Sequence, residues 1–83
     1  MTAALVLAPG DRWHEQVVQI GDGDLRLDAR TGRTATLRLL PFQGYAVRVA
    51  ATPGITVAQA LAALTALPEE DLERIIAYRI EDQ

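Results

Sequence analysis

Residues 17–39 read VVQIGDGDLRLDARTGRTATLRL, three segments of alternating apolar and polar residues separated by turn signals. A two-residue type I′ turn at Asp22-Gly23 sets Ile20 opposite Leu25 and Val18 opposite Leu27, so both pairs are apolar. At Arg30-Thr31-Gly32 a two-residue loop would set Leu27 against Thr36. A three-residue loop, with Gly32 in the left-handed region, instead pairs Leu27 with Ala35 and Leu25 with Leu37, and is the expected connection. It also places Asp24 opposite Arg38 on the other face, an ion pair contributing about 0.2 to 1 kcal/mol.

Working outward, Tyr45, Val47 and Val49 alternate with Ala46, Arg48 and Ala50, which predicts a fourth strand over residues 45–51, with Pro41 and Gly44 punctuating the connection. If Leu39 closes that connection against Tyr45, then Leu37 faces Val47 and Ala35 faces Val49. The expected core face is therefore Val18, Ile20, Leu25, Leu27, Ala35, Leu37, Leu39, Tyr45, Val47 and Val49. Residues 3–8 are a candidate fifth strand. Beyond Pro53-Gly54, Thr56 and Gln59 have the spacing of a capping box that opens a helix, and Pro68 stops it. The same proline suits the first turn of a second helix, with Glu69, Glu70 and Asp71 at the positive end of its dipole and Arg74 and Arg79 toward the other. Leu72, Ile75, Ile76 and Ile80 make its apolar stripe. The predicted fold is thus α+β, one domain over residues 1–83: a four-stranded antiparallel β-meander (13–20, 24–29, 33–40, 45–51), or five strands with residues 3–8, then a C-terminal helical hairpin (56–67, 69–80) packed on one sheet face.

Residues 31–37, TGRTATL, resemble the first hairpin of ubiquitin-like β-grasp proteins in their glycine-bulged turn. A β-grasp fold continues with strands after its helix, whereas this chain ends in helical pattern, so the likeness is one of turn chemistry. The order of hairpin, Asp28-Ala29-Arg30-Thr31-Gly32-Arg33, and later Ile55-Thr56-Val57 opening a helix is loosely similar to leader-peptide recognition elements of peptide-modifying pathways. Those have three strands and three helices and bind an extended peptide at a strand edge. The resemblance implies a peptide-binding module. This chain departs from it where residues 45–51 read as strand, so no binding residues carry over.

Composition narrows the chemistry. The chain has no serine, cysteine or lysine and a single histidine, His14, which removes the common nucleophiles for acyl transfer, thiol chemistry and Schiff bases. Apolar residues form 49% and charged residues 23%, the balance of a folded domain. All eight cations are arginine, and with fourteen alanines and no asparagine this suggests a GC-rich bacterial or phage genome. Net charge is −3 without a basic cluster, which argues against nucleic acid. Residues 1–54 carry six Arg against five acids, whereas residues 55–83 carry two against six, so the second half is the acidic pole. The apolar N-terminus lacks a basic flank and is too short for a signal peptide or membrane span, so the expectation is a cytoplasmic protein with no membrane contact.

Candidate chemistry is sparse. Trp13-His14-Glu15 falls within the first predicted strand, where neighbours point to opposite faces, so His14 and Glu15 are not expected to act on one substrate. His14 is expected on the core side with Gln16, Val18 and Ile20, as a partly buried, hydrogen-bonded histidine. No second His or Cys completes a zinc site, Arg26 interrupts the Asp22, Asp24, Asp28 series as a calcium loop, and Gly21 and Gly23 are too short a match for a dinucleotide fingerprint. No catalytic residue, metal or cofactor is expected. On the outer sheet face, Arg26, Arg38 and Arg48 with Thr36 form a candidate site for an anion or carboxylate-rich peptide, since guanidinium presents a planar fork of donors. The alternative is a simply solvated face.

The first helix is apolar nearly all round, its only polar side chains between Val57 and Leu67 being Gln59 and Thr65. Either alanine tolerates exposure there, or the helix is an interface at which Ala58, Ala62 and Ala66 admit close approach. The expected function is a small non-catalytic protein–protein interaction, adaptor or assembly protein, encoded by a phage or mobile element, that meets a protein partner or itself as a two-fold homodimer. The contact is expected on residues 56–67, with the N-terminal segment as second candidate. No small-molecule substrate is evident. A third class, an enzyme using His14 with Glu15 or Asp11, is opposed by the residue inventory.

Overall fold

The computed structural model describes residues 2–21, 25–28 and 32–80. In chain order these form β1 (Thr2–Leu7), β2 (Val17–Ile20), β3 (Leu25–Asp28), β4 (Arg33–Phe42), β5 (Tyr45–Ala51), α1 (Val57–Ala66), α2 (Glu69–Ile75) and β6 (Ile76–Arg79). The class is α+β, but the sheet is mixed, with order β2-β1-β5-β4-β3, rather than a meander. β1 pairs antiparallel with β2 and parallel with β5.

The N-terminal segment is therefore the middle of the sheet, not an optional fifth strand. Ala3, Ala4, Leu5, Val6, Leu7 and Ala8 are all buried. An unbroken apolar run has no alternation because both faces of this strand are covered, as in strands paired in parallel between two layers. One face, with Leu5, Leu7, Val47, Val49 and Ala51, meets the helices through Ala60, Leu64 and Ile75. The other face holds Ala4, Ala35 and Ala50. There Ile20 of β2 packs in one cluster with Leu25 and Leu27 of β3, so the two ends of the strand path come round to each other and the sheet is nearly closed into a barrel.

The single expected core face is thus divided between two clusters, and the cause is the β4–β5 turn. Gln43 (φ 52°) and Gly44 (φ 83°) both lie in the left-handed region, which makes a tight two-residue turn of the I′ kind. Pairing consequently runs Phe42 to Tyr45, Leu40 to Val47 and Arg38 to Val49, in place of the expected Leu39–Tyr45, Leu37–Val47 and Ala35–Val49. An odd shift exchanges the faces. Leu37 and Ala35 go to the barrel interior, Val47 and Val49 go to the helices, and Leu39 is left half exposed. Pro41 lies inside β4, tolerated because β3 pairs only with Arg33–Ala35 and leaves that end an edge.

Gly32 has the expected positive φ of 72°. The β3–β4 register nonetheless pairs Leu25 with Ala35 and Arg26 with Thr34, and then slips at Leu27 to pair Asp28 with Arg33. That is two residues from the expected pairing for Leu25, so its face is preserved. The Asp22-Gly23 turn and Asp24 lie outside the described residues, and with Asp24 so does the expected Asp24–Arg38 pair; among those described no ladder joins β2 to β3.

The capping box is present: the Gln59 N–H donates to Thr56 Oγ1 at 3.1 Å and the Thr56 N–H donates to Gln59 Oε1 at 2.8 Å. The expected second helix over residues 69–80 ends at Ile75, and Ile76–Arg79 runs as β6 against β5. The helical hairpin is correspondingly short. β1 covers β5 only at Val49–Ala51, which would leave the backbone groups of Tyr45–Val47 unpaired on that edge, and β6 satisfies them. Arg48 stands where that edge passes from one partner to the other. Its Nε donates to the Ala3 carbonyl at 2.8 Å and its Nη2 to the Arg74 carbonyl at 3.0 Å, in the last turn of α2.

Candidate functional site

Residues 8–16 join β1 to β2 as a folded turn, where a strand from residue 13 was expected. Asp11 N–H bonds the Ala8 carbonyl at 2.9 Å, and the Asp11 carboxylate accepts the Trp13 N–H at 2.9 Å. Such a side-chain-closed turn is what Asp provides after Pro9-Gly10. Glu15 (φ 62°) then re-enters the sheet: its N–H donates to the Val6 carbonyl at 2.7 Å, and the Val6 N–H donates to the Gln16 carbonyl at 2.9 Å. Two residues opposing one, with the first left-handed, is a β-bulge of the kind usually built with glycine.

The bulge changes where the side chains go. His14 and Glu15 meet, with Nε2 of the imidazole 3.6 Å from Oε1 of the carboxylate. The expectation that strand alternation keeps them apart fails because neither residue is in regular strand. His14 is half-buried and hydrogen-bonded, accepting the N–H of fully buried Ala8 at Nδ1, 3.0 Å away. A neutral imidazole has one N–H, so this acceptor role puts the hydrogen on Nε2, facing Glu15. The ring offers a donor there and no basic lone pair.

This pair stands on the rim of an open groove of about 480 Å³. Leu7 at the end of β1 lies along it, Ala62, Ala63 and Ala66 of α1 form the opposite wall, and Gln59 and Asp71 add polar groups. The groove exists because α1 turns only Ala60 and Leu64 fully inward, leaving Ala58, Ala62 and Ala66 exposed on its outer side. Two of the three alanines singled out from the sequence therefore line it. Asp71, 3.9 Å from Arg74, comes from the first turn of α2, and Pro9 and Pro68 close the ends of the chain segments around it.

The arginine face is arranged differently. Arg26 is exposed opposite Thr34, and Thr36 and Arg38 follow the alternation of β4 opposite Ala51 and Val49. Arg48 alternates with Val47 and Val49 onto the other side, and its guanidinium is bonded to two carbonyls. The register does not bring the three arginines together. Among the described residues, no group of three or more His, Cys, Asp or Glu side chains is placed to hold a metal ion, and no helix is long and apolar enough to cross a membrane.

No protein-family model, no curated protein and no solved structure matches this chain.

From the sequence, Glu15 enters only as a catalytic partner of His14 and Asp71 only at the dipole of the second helix, so neither is placed on a groove rim. Pro9-Gly10-Asp11 is a turn signal that could have moved His14 and Glu15 off the strand. The approach of Asp71 to that turn is a tertiary contact with no local signature.

Proposed function

We propose that this protein is a small non-catalytic protein–protein interaction module, of the adaptor or assembly kind, that meets its partner through the outer face of α1 and the groove beside it. The exposure of Ala58, Ala62 and Ala66 carries this reading: one side of α1 is core, and the other is an unfilled apolar wall. Concave, largely apolar surfaces with a few placed polar groups are where proteins take ligands, and a groove of this size suits a few side chains of a partner. The state of His14 supports binding over catalysis. An imidazole whose Nδ1 is held by a backbone N–H can donate from Nε2 but cannot take a proton there as a general base.

Selection of a random-peptide phage library on the immobilised protein tests the proposal. Related sequences should be enriched, and their binding should fall at least about tenfold with Ala62→Arg, which fills the groove with a long side chain. Peptides that bind Ala62→Arg as well as they bind the original protein, or a library with no enriched sequence, would remove α1 as the contact.

A further inference from the structure

Resting on that reading, we infer that the groove takes a segment of a partner protein in which apolar residues adjoin an arginine or lysine, the cation lying between the carboxylates of Glu15 and Asp71. Charge complementarity selects this occupant. Among the described residues, Glu15 and Asp71 are the charged ones that line the groove and no arginine does; Arg74 sits beyond Asp71, and Arg33 donates to the Pro9 carbonyl at 2.9 Å. The remaining walls are alanine, leucine, isoleucine and proline with Gln59 and His14. An apolar segment without charge would strip water from the Glu15 carboxylate, and from Asp71 beyond its 3.9 Å contact with Arg74, without supplying a new partner, and an acidic segment would be repelled.

His14 adds direction. Its Nε2–H faces Glu15 at 3.6 Å, longer than a hydrogen bond, so the carboxylate is not tied up by the imidazole and remains two-thirds exposed to a ligand. The same N–H can serve a backbone carbonyl of the bound segment. The bulge explains why the carboxylate stands there at all. Glu15 occupies a left-handed position that glycine would hold without strain, and that conformation swings its side chain from the sheet to the rim.

A second copy of this chain fits less well. In a two-fold contact through this face both copies present the same acidic groove, and among the described residues no arginine lines it to meet Glu15 and Asp71. Like charges so placed oppose association.

The test uses peptides enriched from the phage library, synthesised with and without their cations. Each arginine or lysine replaced by glutamine should weaken binding, and Glu15→Gln and Asp71→Asn should each weaken the parent peptide by roughly two- to fivefold, as for rim ion pairs, with less effect as salt is raised. Glu70→Gln, in the same first turn of α2 but not lining the groove, should leave binding unchanged. Glu15→Gly should weaken binding while keeping or raising the melting temperature, a combination that separates a lost contact from a lost fold. If Ala62→Arg abolishes binding but the cation and carboxylate changes do nothing, the inference falls and the docking face stands. If Ala62→Arg does nothing, the docking face falls as well. A dimer seen in sedimentation that Ala62→Arg dissociates would give the groove to a second copy and overturn the basic partner.

Discussion

Two stretches of this chain are almost equally apolar, residues 3–8 and α1, and the fold treats them in opposite ways. The first became the strand with neighbours on both edges and a cluster on both faces; the second lies on the surface with one side open. From the sequence alone the strand reads as an accessory, and the alanines of the helix read either as exposed or as an interface. The difference lies in what the apolar atoms are. Residues 3–8 contain Leu5, Val6 and Leu7, each contributing about 1.5 to 3 kcal/mol when fully buried. The outer side of α1 is mostly alanine methyl groups, with Val57, Gln59 and Thr65 among them, and such methyl groups gain little by burial and sit well in a helix.

The largest test of that contrast is Leu5→Ala. Leu5 has no solvent exposure and packs with Val47, Val49, Leu64 and Ile75 in the cluster between sheet and helices. Truncation should cost about 2 to 5 kcal/mol, the range for a buried leucine whose site relaxes only in part. In a domain of 83 residues a loss of that order approaches the whole stability, so chemical denaturation should show a variant that is mostly unfolded or barely folded. A mild effect would mean that β1 is peripheral after all.

His14 tests the end of the same strand. Its Nδ1 is the acceptor for the N–H of Ala8, which has no access to water. His14→Leu keeps the apolar bulk but orphans that donor and should destabilise by about 1 to 3 kcal/mol in urea melts. His14→Asn retains an acceptor near the Nδ1 position and should recover part of the loss. Equal stability of the two variants would show that the ring packs without serving Ala8.

What the sequence made legible was local. Thr56 and Gln59 announce their own cap because both partners lie within one turn, and Gly32 announces a left-handed position because of the backbone freedom it alone has. The common inner face of Leu25, Leu27, Ala35 and Leu37 survived an error of register, since a slip of two residues keeps parity. The β4–β5 register did not survive. Gln43 takes a left-handed conformation more usual for Asn or Gly, so the two-residue turn was hidden, and the odd shift exchanged faces. β6 was hidden because the free edge of β5 lies beside the N-terminal side of β1, which pairs with β5 only from Leu5 onward, a part of the chain far away in sequence. Of the site, the alanine wall was legible from its four-residue spacing, and the polar rim was not: its carboxylates come from a bulge and from a helix that only the tertiary fold brings together.

The smallest expected effect is on the other side of the comparison. Ala62 is exposed at the middle of α1, where its methyl group faces the groove rather than the core. Arginine is a good helix former, so Ala62→Arg removes no packing and adds little intrinsic cost. Its guanidinium can reach toward Glu15 and Asp71, which line the same groove, and an exposed ion pair there contributes about 0 to 1 kcal/mol. The net change in stability should stay within about 0.5 kcal/mol, or less than roughly 4 °C in melting temperature for a domain of this size. That near-silence is what lets the same variant report on binding: a side chain that blocks the groove without disturbing the fold separates docking from folding. A fall in stability approaching that of Leu5→Ala would show that the alanine face of α1 is covered in the free protein. The two apolar stretches would then both be core, and the contrast between them would disappear.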